Sequence, residues 1–298
     1  MISTTFFQVG DYNLDLTLSS GQAFRWRLLD GGWEGVVAGR WVRLESEAGG
    51  IRAASLGRIK DWRWLADYLQ VEVKLGEILK TFPPEDKHLW SAVESCHGLR
   101  LLRQEPWECL ASFILSSTKQ IAHIQQIIER LCERFGAPVK VPDGHFPMHA
   151  FPQAKTLALV DEQELRACGM GFRARALREA AQRVATGALD LGKLANMDES
   201  QARERLMDLR GVGPKIANCV LLFAYGYPQA FPVDVWVRRA LETAYFPRRR
   251  LKPREMESFV RQYFGPQAGY AQQYLFHHWR MQGRGRRKAA LTAGEGGL

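Results

Sequence analysis

The sequence predicts an α+β protein, with an antiparallel β-sheet domain at the N-terminus and helices after it. Up to about residue 85, several segments alternate apolar and polar residues, which is the period of half-buried strands. From about residue 86, apolar residues recur at every third or fourth position, the period of amphipathic helices. Pro83 and Pro84 mark the boundary between the two patterns.

The first domain contains four segments with strand-like alternation. Asp30-Gly31-Gly32 is a hairpin turn signal between the second and the third of them. A helix is expected around residues 61–68. The predicted strands are residues 13–18, 23–28, 33–37 and 41–44.

The second domain is predicted to be entirely helical, apart from a loop at 136–155 that is rich in Pro and Gly. The residues after Gly283 are mostly small, with basic residues first and an acidic residue later, so disorder is expected there. The predicted domains are therefore 1–85 and 86–283, with a tail at 284–298. Helical spacing is found at 108–135, 162–168, 172–186, 199–209, 215–225, 235–245, 253–263 and 268–280.

The charge of the chain is concentrated in its last third. The formal net charge is +9, and residues 201–298 carry 17 Lys and Arg against 7 Asp and Glu. A basic face attracts polyanions such as nucleic acid. A merely soluble basic surface is the alternative interpretation.

The five cysteines are scattered and include no C-x-x-C pair, so we expect reduced, buried thiols and no bound metal or cofactor. No run of about 18 apolar residues is present, so no transmembrane helix is expected. The first residues lack the basic start and long apolar run of a signal peptide. The five cysteines are Cys96, Cys109, Cys132, Cys168 and Cys219.

Residues 209–215 (LRGVGPK) have the form of a tight turn between two helices. Gly211 and Gly213 permit a positive φ or a close backbone approach, and Val212 lies between them. Pro214 suits the first position of the second helix. Such a helix-hairpin-helix turn presents backbone N–H groups to a phosphate of nucleic acid.

An amine and a carboxylate accompany this turn. Lys215 follows it directly, and Asp234 comes nineteen residues later in Pro232-Val233-Asp234. This combination predicts chemistry at a sugar carbon of DNA. The alternatives are a lysine that only binds phosphate and an aspartate that only caps a helix.

Five ordered blocks of the sequence resemble the 8-oxoguanine DNA glycosylase/AP lyases of the helix-hairpin-helix superfamily. The resemblance covers nearly the whole chain and implies an N-terminal antiparallel domain packed on two all-α subdomains. The blocks are 20–26 (SGQAFRW), 108–117 (ECLASFILSS), 171–174 (GFRA), 209–219 together with 232–235 (PVDV), and 265–276 (GPQAGYAQQYLF).

The resemblance implies a bifunctional reaction without a cofactor. The damaged base must leave the stack, because its sugar is inaccessible inside a duplex. Lys215 is the expected nucleophile at C1′, which gives a Schiff base and then β-elimination, and Asp234 is expected to stabilise positive charge on the sugar. The expected partner is duplex DNA that contains 8-oxoguanine, bound by a monomer in the cytoplasm or nucleoid, or in the nucleus of a eukaryote.

The same resemblance assigns base recognition to Gly21, Gln272, Phe276 and Cys219. The Gly21 carbonyl would accept a hydrogen bond from N7–H of 8-oxoguanine and oppose the N7 lone pair of guanine. Gln272 would meet the Watson–Crick edge, and Phe276 and Cys219 would cover the two faces of the base. The alternatives are a strand bulge, a surface amide, a core ring and a core thiol, respectively.

Further DNA contacts are expected from Gly211, Val212 and Gly213 at the hairpin, from Phe172 as a wedge, and from Arg173 at the opposite cytosine. A core Phe and a solvated Arg are the alternatives for the last two. Four positions depart from the family pattern, and they put recognition of the opposite base and part of the phosphate contact in question. Thr118, which Lys119 follows, stands where the family has an Asn, and His123 stands where the family has an Arg. Asn218 stands where the family has an Asp, and Trp236 stands where the family has a His.

Two rival functions remain open. A glycosylase for alkylated bases, oxidised pyrimidines or mismatched adenine would use the same scaffold. Alkyl-base enzymes generally lack the lysine, and many of the others carry four cysteines that are absent here. A DNA-binding module without catalysis would not need Lys215 and Asp234 together.

Overall fold

The computed structural model describes residues 1–116, 120–247 and 249–294, with side chains up to Gly283. It confirms the α+β class: an antiparallel sheet forms at the N-terminus, and helices are the main regular structure of the remainder. Within the described residues, no helix is long and apolar enough to cross a membrane.

The N-terminal sheet has five antiparallel strands in the order β1-β5-β4-β3-β2. Its first and last strands in the sequence, β1 and β5, were not among the predicted strands. Only the short strand β2 remains of the segment predicted at 23–28. The bounds are β1 Ile2–Gln8, β2 Arg27–Leu29, β3 Gly32–Val37, β4 Arg40–Glu47 and β5 Gly50–Leu56.

The strand predicted at 13–18 is wrong, because this segment forms helix α1 (Leu14–Ser19). The Asn13 side chain accepts a hydrogen bond of 2.9 Å from the backbone N–H three residues on, which caps the helix. Leu14 and Leu18 are buried on one face. Over six residues, alternating apolar positions also fit the i, i+4 spacing of a helix, so the capping side chain decides between the two.

Residues 20–26 form a loop, and the strand expected there is wrong as well. The buried Gln22 side chain donates to the carbonyls of Thr17 and Arg100 and accepts from the N–H of Leu102. These bonds join the N-terminal domain to the chain that enters the helical domain. Side chains also reach the backbone of this loop: Gln104 donates to the carbonyl of Gln22 at 2.7 Å, and Gln273 donates to that of Ser20 at 3.3 Å.

The helical domain follows the predicted pattern closely. The segment expected to be helical at 108–135 divides into α5 and α6, and several short helices were not predicted. Two-residue strands, β6 Pro138–Val139 and β7 Met148–His149, pair within the predicted loop. The helices are α2 Arg63–Leu69, α3 Leu75–Leu79, α4 Lys87–Ser95, α5 Pro106–Leu115, α6 Ile121–Phe135, α7 Ala154–Leu159, α8 Glu162–Leu165, α9 Arg173–Ala185, α10 Leu191–Leu194, α11 Glu199–Met207, α12 Pro214–Val220, α13 Val235–Ala240, α14 Pro253–Tyr263 and α15 Ala268–Gly294.

The helices fall into two groups. Helix α15 packs against α4 and α13, whereas α5 packs against α9 and α12. Single turns of π-helix extend α12 and α13, whereas the turn that follows α8 is broken at Gly169, which has a φ of +88°. The backbone of α15 continues to Gly294, into the segment for which the sequence predicts disorder, and side chains there lie outside the described part. The predicted domain limits stay predictions.

The two domains share their apolar cores. Phe24, from the N-terminal domain, packs edge-on against Phe113 of α5 at 5.6 Å between ring centres. Leu102, at the entry to the helical domain, belongs to the core of the sheet. Such mutual insertion fixes the position of loop 20–26 relative to the helices.

Candidate active site

The hairpin between α11 and α12 has the predicted geometry. The Asp198 carboxylate caps α11 by accepting from the N–H of Gln201 at 2.9 Å. Gly211 has a φ of +76°, and a Cβ there would lie 3.2 Å from the Ala176 Cβ, so a larger residue would be strained. Val212 is buried and anchors the turn in the core.

The second helix of the hairpin begins without a capping side chain. Gly213 is the residue before α12, and Pro214 occupies the first helical position. The early N–H groups of a helix have no partner within it. The turn is therefore suited to an anion, as the sequence predicts.

Lys215 lies in the first turn of α12 and is half-buried. Its Nζ donates to the Oγ of Ser116, at the end of α5, at 3.2 Å. The same atom lies 5.1 Å from the centre of the Phe113 ring, within range of a cation–π interaction. The amine is thereby held at the junction of α5 and α12.

Asp234 is the N-cap of α13. Its Oδ1 accepts from the N–H groups of Trp236 at 2.9 Å and Val237 at 2.8 Å. Burial raises the pKa of this carboxyl, while the two backbone bonds and the charges of Lys215 and Arg280 act against the rise. Asp234 is thus both a helix cap and a carboxylate within electrostatic range of the Lys215 amine.

Cys219 lies one turn after Lys215 and is buried. Burial raises the pKa of its thiol to about 11, although the charge and hydrogen bond of Lys215 favour the thiolate and the charge of Asp234 opposes it. The side chains of Lys215, Cys219 and Asp234 therefore share one site, and the thiol keeps its proton at neutral pH.

Gly21 brings the N-terminal domain to this site. Its φ is +82°, and a Cβ there would lie 2.6 Å from the Cδ1 of Ile121 and 3.5 Å from the Cε1 of Phe276. Any side chain at this position would fill the space between α6 and α15. The predicted close backbone approach is therefore present, but it occurs in a loop and not in a strand bulge.

Gln272 and Phe276 lie one turn apart on α15. Gln272 is only 3% exposed, so the alternative of a surface amide is wrong. Its Oε1 has no hydrogen-bond partner among the described protein atoms. A buried amide oxygen without a partner costs free energy. Phe276 is half-buried and contacts the Gly21 position.

Three residues of this region were missed by the sequence analysis as site residues: Ser116, Ile121 and Arg280. Arg280 is the one that a pattern could have revealed, because 272, 276 and 280 follow the i, i+4, i+8 spacing of one helical face. Its guanidinium Cζ lies 5.2 Å from the centre of the Phe276 ring. The Ser116 and Ile121 contacts join distant parts of the chain.

Phe172 and Arg173 lie before and at the start of α9. Phe172 is 72% exposed, so the alternative of a core Phe is wrong. Arg173 is 4% exposed, with its Cζ 4.6 Å from the centre of the Phe172 ring, so the alternative of a solvated Arg is also wrong. Burial lowers the pKa of the Arg173 guanidinium. Their roles at the DNA stay predictions.

The remaining predicted DNA-contact residues are dispersed. His123 is exposed on α6. Trp236 packs against α15, since a Cβ on Gly283 would lie 2.3 Å from its ring, and the Arg239 Cζ is 5.3 Å from its ring centre. Thr118 and Lys119 lie outside the described residues.

Asn218 has a structural role. Its Nδ2 donates to the carbonyl of Phe231 at 3.2 Å, and its Oδ1 accepts from the Nε of Arg203 at 2.8 Å. The side chain thus connects α11 and α12 to the segment that leads to Asp234. An amide can make both bonds, whereas a carboxylate could only accept.

All five cysteines are buried free thiols. In the part of the chain that the structure describes, no three His, Cys, Asp or Glu side chains lie close enough to hold a metal ion.

Comparison with protein families gives two matches that together span most of the chain. Residues 5–110 match the N-terminal domain of 8-oxoguanine DNA glycosylase. Residues 111–266 match the HhH-GPD superfamily of base excision DNA repair proteins. The boundary between the two matches falls within α5.

Similar proteins extend over nearly the full length. The probable N-glycosylase/DNA lyase of Methanothermobacter thermautotrophicus is 34% identical, with 92% of this chain and 96% of that protein covered. The N-glycosylase/DNA lyase OGG1 of Arabidopsis thaliana is 31% identical, with 89% of this chain and 77% of that protein covered.

Two solved structures agree in fold. MBOgg1 in complex with a low-affinity DNA ligand has a TM-score of 0.88 at 34% identity, with 95% of this chain and 96% of that chain covered. Clostridium acetobutylicum 8-oxoguanine glycosylase/lyase, in complex with duplex DNA that has cytosine opposite 8-oxoguanine, has a TM-score of 0.86 at 28% identity, with 95% and 98% covered. The chain belongs to the 8-oxoguanine DNA glycosylase family of HhH-GPD base excision repair proteins.

Proposed function

We propose that this protein excises 8-oxoguanine from duplex DNA and then cleaves the strand at the abasic site. One observation carries the proposal: the Lys215 amine, the Asp234 carboxylate and the Cys219 thiol share one site behind a hairpin suited to phosphate. The similar proteins named N-glycosylase/DNA lyase support the same activity.

The first chemical step uses the amine of Lys215. In its neutral form, Nζ donates its electron pair to C1′ as the bond from C1′ to the base breaks, and the electrons of that bond leave with the base. Asp234 faces the positive charge that develops on the sugar. Ser116 holds the amine between reactions, because its Oγ accepts a hydrogen bond from Nζ.

Strand cleavage follows from the covalent intermediate. Loss of a proton from the lysine nitrogen and opening of the sugar ring give a Schiff base between Nζ and C1′. Removal of a proton from C2′ then leaves its electron pair to form a double bond, and the bond to the 3′ phosphate oxygen breaks by β-elimination. Water finally hydrolyses the Schiff base and releases the lysine.

Base recognition rests on the walls of the pocket. The Gly21 carbonyl would accept from N7–H of 8-oxoguanine, at a position that no Cβ obstructs. Gln272 offers its unpartnered Oε1 and an amide N–H₂ to the Watson–Crick edge. Phe276 would stack on one face of the base and Cys219 would cover the other, with the thiol protonated.

DNA binding would use the hairpin and the exposed aromatic. Gly211, Val212 and Gly213 would present the hairpin N–H groups to a phosphate. The exposed Phe172 would enter the duplex beside the orphan base, with Arg173 behind its ring. His123, in the first turn of α6, would face the opposite cytosine, and Trp236, in the first turn of α13, would contact a phosphate.

The deciding experiment combines two assays on the wild-type protein. Duplexes that contain 8-oxoguanine, an alkylated purine, an oxidised pyrimidine or an A·G mismatch are compared for excision, and an abasic duplex is treated with borohydride to trap the Schiff base. We expect excision of 8-oxoguanine together with trapping. Trapping with another preferred base would favour the rival substrates, and DNA binding without trapping would favour a non-catalytic module.

A further inference from the structure

Arg280 occupies a place in the candidate pocket that the proposed reaction does not use. It lies on α15, one turn after Phe276, and is 5% exposed. A buried guanidinium is costly unless its charge and N–H groups are compensated. Its contacts show what compensates it.

These contacts join α15 to the end of α1. Nη2 of Arg280 donates to the carbonyl of Ser19 at 3.0 Å and lies 3.1 Å from Nδ1 of His277. One side of the guanidinium covers the Phe276 ring at 5.2 Å. Seven residues earlier on the same face, Gln273 donates to the carbonyl of Ser20 at 3.3 Å.

The two carbonyls belong to the C-terminal end of α1, where helix carbonyls have no partner within the helix and a positive charge is favourable. Gly21 follows directly and has the φ of +82° described above. A Cβ on Gly21 would lie 3.0 Å from Nη1 of Arg280. Arg280 therefore contacts both the Gly21 loop and the ring on which the base would stack.

We propose that Arg280 is a positioning residue that fixes the Gly21 carbonyl relative to Phe276, and thereby determines how well the pocket selects 8-oxoguanine over guanine. The inference rests on the proposed function. The two bases differ at C8 and at N7, and the Gly21 carbonyl meets the difference at N7. Selection therefore depends on where this carbonyl lies, because hydrogen bonds weaken steeply with distance and angle. The charge of Arg280 also acts on Asp234. That charge effect would change the rates of excision and of strand cleavage alike, so it would cancel in their ratio.

The test uses a matched control on the other side of α1. Arg100 is also a buried arginine, and it donates to the carbonyls of Asp11 at 2.6 Å and Gly10 at 3.2 Å, away from the pocket. Arg280→Met, Arg280→Lys and Arg100→Met are compared with wild type. Three quantities are measured: excision of 8-oxoguanine, cleavage of a ready-made abasic site, and affinity for 8-oxoguanine duplex relative to guanine duplex.

For Arg280→Met we expect the ratio of excision to abasic cleavage to fall about tenfold, the effect of losing one charge-assisted hydrogen bond. Its preference for 8-oxoguanine duplex should fall as well. Arg280→Lys should recover part of both, because lysine can still donate to Ser19. Arg100→Met should lower the melting temperature and leave the ratio unchanged.

An unchanged ratio in either folded Arg280 variant, or an equal fall in Arg100→Met, would overturn the positioning role. If Arg280→Met does not fold, the ratio in Arg280→Lys decides alone. Failure of the wild type to excise 8-oxoguanine is a separate result, because it would refute the proposed function before any variant is compared.

Discussion

At the scale of single residues, the site depends on a few side chains whose surroundings differ from those in water. Lys215 is held by Ser116 and lies over Phe113, while Cys219 is kept protonated by burial. Gln272 retains a buried oxygen without a partner among the described protein atoms. A buried polar atom of this kind calls for a partner, and a base bound in the pocket would supply one.

The amine of Lys215 is expected to be indispensable for both reactions. Lys215→Gln should abolish excision of 8-oxoguanine and borohydride trapping, and should leave duplex affinity within a few-fold of wild type. Excision, trapping and binding are measured on the same oligonucleotides. Lys193→Gln, on an exposed lysine of α10, is the control and should behave as wild type. Trapping by the Lys215→Gln variant would contradict the assignment.

The base pocket should affect the first reaction more than the second. Alanine at Gln272 or Phe276 should slow excision of 8-oxoguanine by about ten- to a hundredfold, because a good base contact is worth about 1–3 kcal/mol. Cleavage of a ready-made abasic site needs no base contact and should change much less. Single-turnover rates on the two substrates give the comparison. Equal losses on both would place these residues outside the pocket.

Selection of the opposite base is expected to be relaxed. Arg173 can supply donors, but His123 lacks the five-donor fork of the arginine in the family pattern, and Thr118 has one hydroxyl in place of an amide. Losing one or two contacts worth about 1–3 kcal/mol each should weaken the preference for cytosine without removing it. Single-turnover excision opposite C, A, G and T measures this. Near-absolute restriction to cytosine would show that Arg173 suffices.

At the scale of elements, helix ends position most of the chemistry. Lys215 is in the first turn of α12, Asp234 caps α13, and Gly21 follows the end of α1. A helix end supplies unpaired backbone groups and a partial charge, both fixed in direction. The same atoms therefore serve both folding and function. A useful substitution has to change activity while the helix end stays intact.

Asp234→Asn separates the charge of the carboxylate from its role as a helix cap. Asn caps helices as well as Asp, so α13 should be retained, but the charge that would face the sugar is lost. We expect excision to fall by about a hundredfold or more. Because burial raises the pKa of Asp234, its ionised form costs stability at pH values above that pKa. The variant should therefore melt no lower than wild type at neutral pH, and any gain should shrink below the raised pKa and vanish below the ordinary pKa of an aspartate in the unfolded chain.

The control for this variant is Asp198→Asn, at the cap of α11, where hydrogen bonds to the first turn lower the pKa of the carboxyl. It should retain full activity. If Asp234→Asn turned over 8-oxoguanine at the wild-type rate, the only role of Asp234 would be to cap α13. A lower melting temperature for Asp234→Asn at neutral pH would contradict the stated cost of its charge.

At the scale of the whole molecule, charge and packing have separate tasks. Residues 201–298 carry 17 basic against 7 acidic residues, and this part of the chain also holds Lys215 and Asp234. The N-terminal domain contributes Gly21 from the loop after α1, and Phe24 and Gln22 of the same loop fasten it to the helical domain. One domain would thus complete the pocket of the other.

The charge distribution predicts a steep salt dependence of DNA binding. Each phosphate that the protein neutralises should contribute about −0.9 to the slope of log K against log salt. Titrations of undamaged duplex at several salt concentrations measure the slope. A slope near zero would show that the basic third of the chain does not face DNA.

Local signals in the chain were enough to predict the fold class, the order of the domains, the hairpin, and the positions of Lys215 and Asp234. These signals are the hydrophobic period, the turn glycines, Pro214 at a helix start and the capping aspartate. They also predicted most long helices within a few residues, because a helix satisfies its backbone within one segment. They failed at 13–18, where a short alternating pattern fits both strand and helix.

The family resemblance grouped several distant residues into one site, but the contacts that hold them together could be learned only from the packed molecule. The contacts of Lys215 with Ser116, of Gly21 with Ile121, and of Arg280 with Ser19 join positions far apart in the chain. No periodicity encodes such pairs, because they result from how helices and loops of two domains pack. Burial arises in the same way: it keeps Cys219 protonated, leaves the Gln272 oxygen without a described protein partner and places Arg280 behind Phe276.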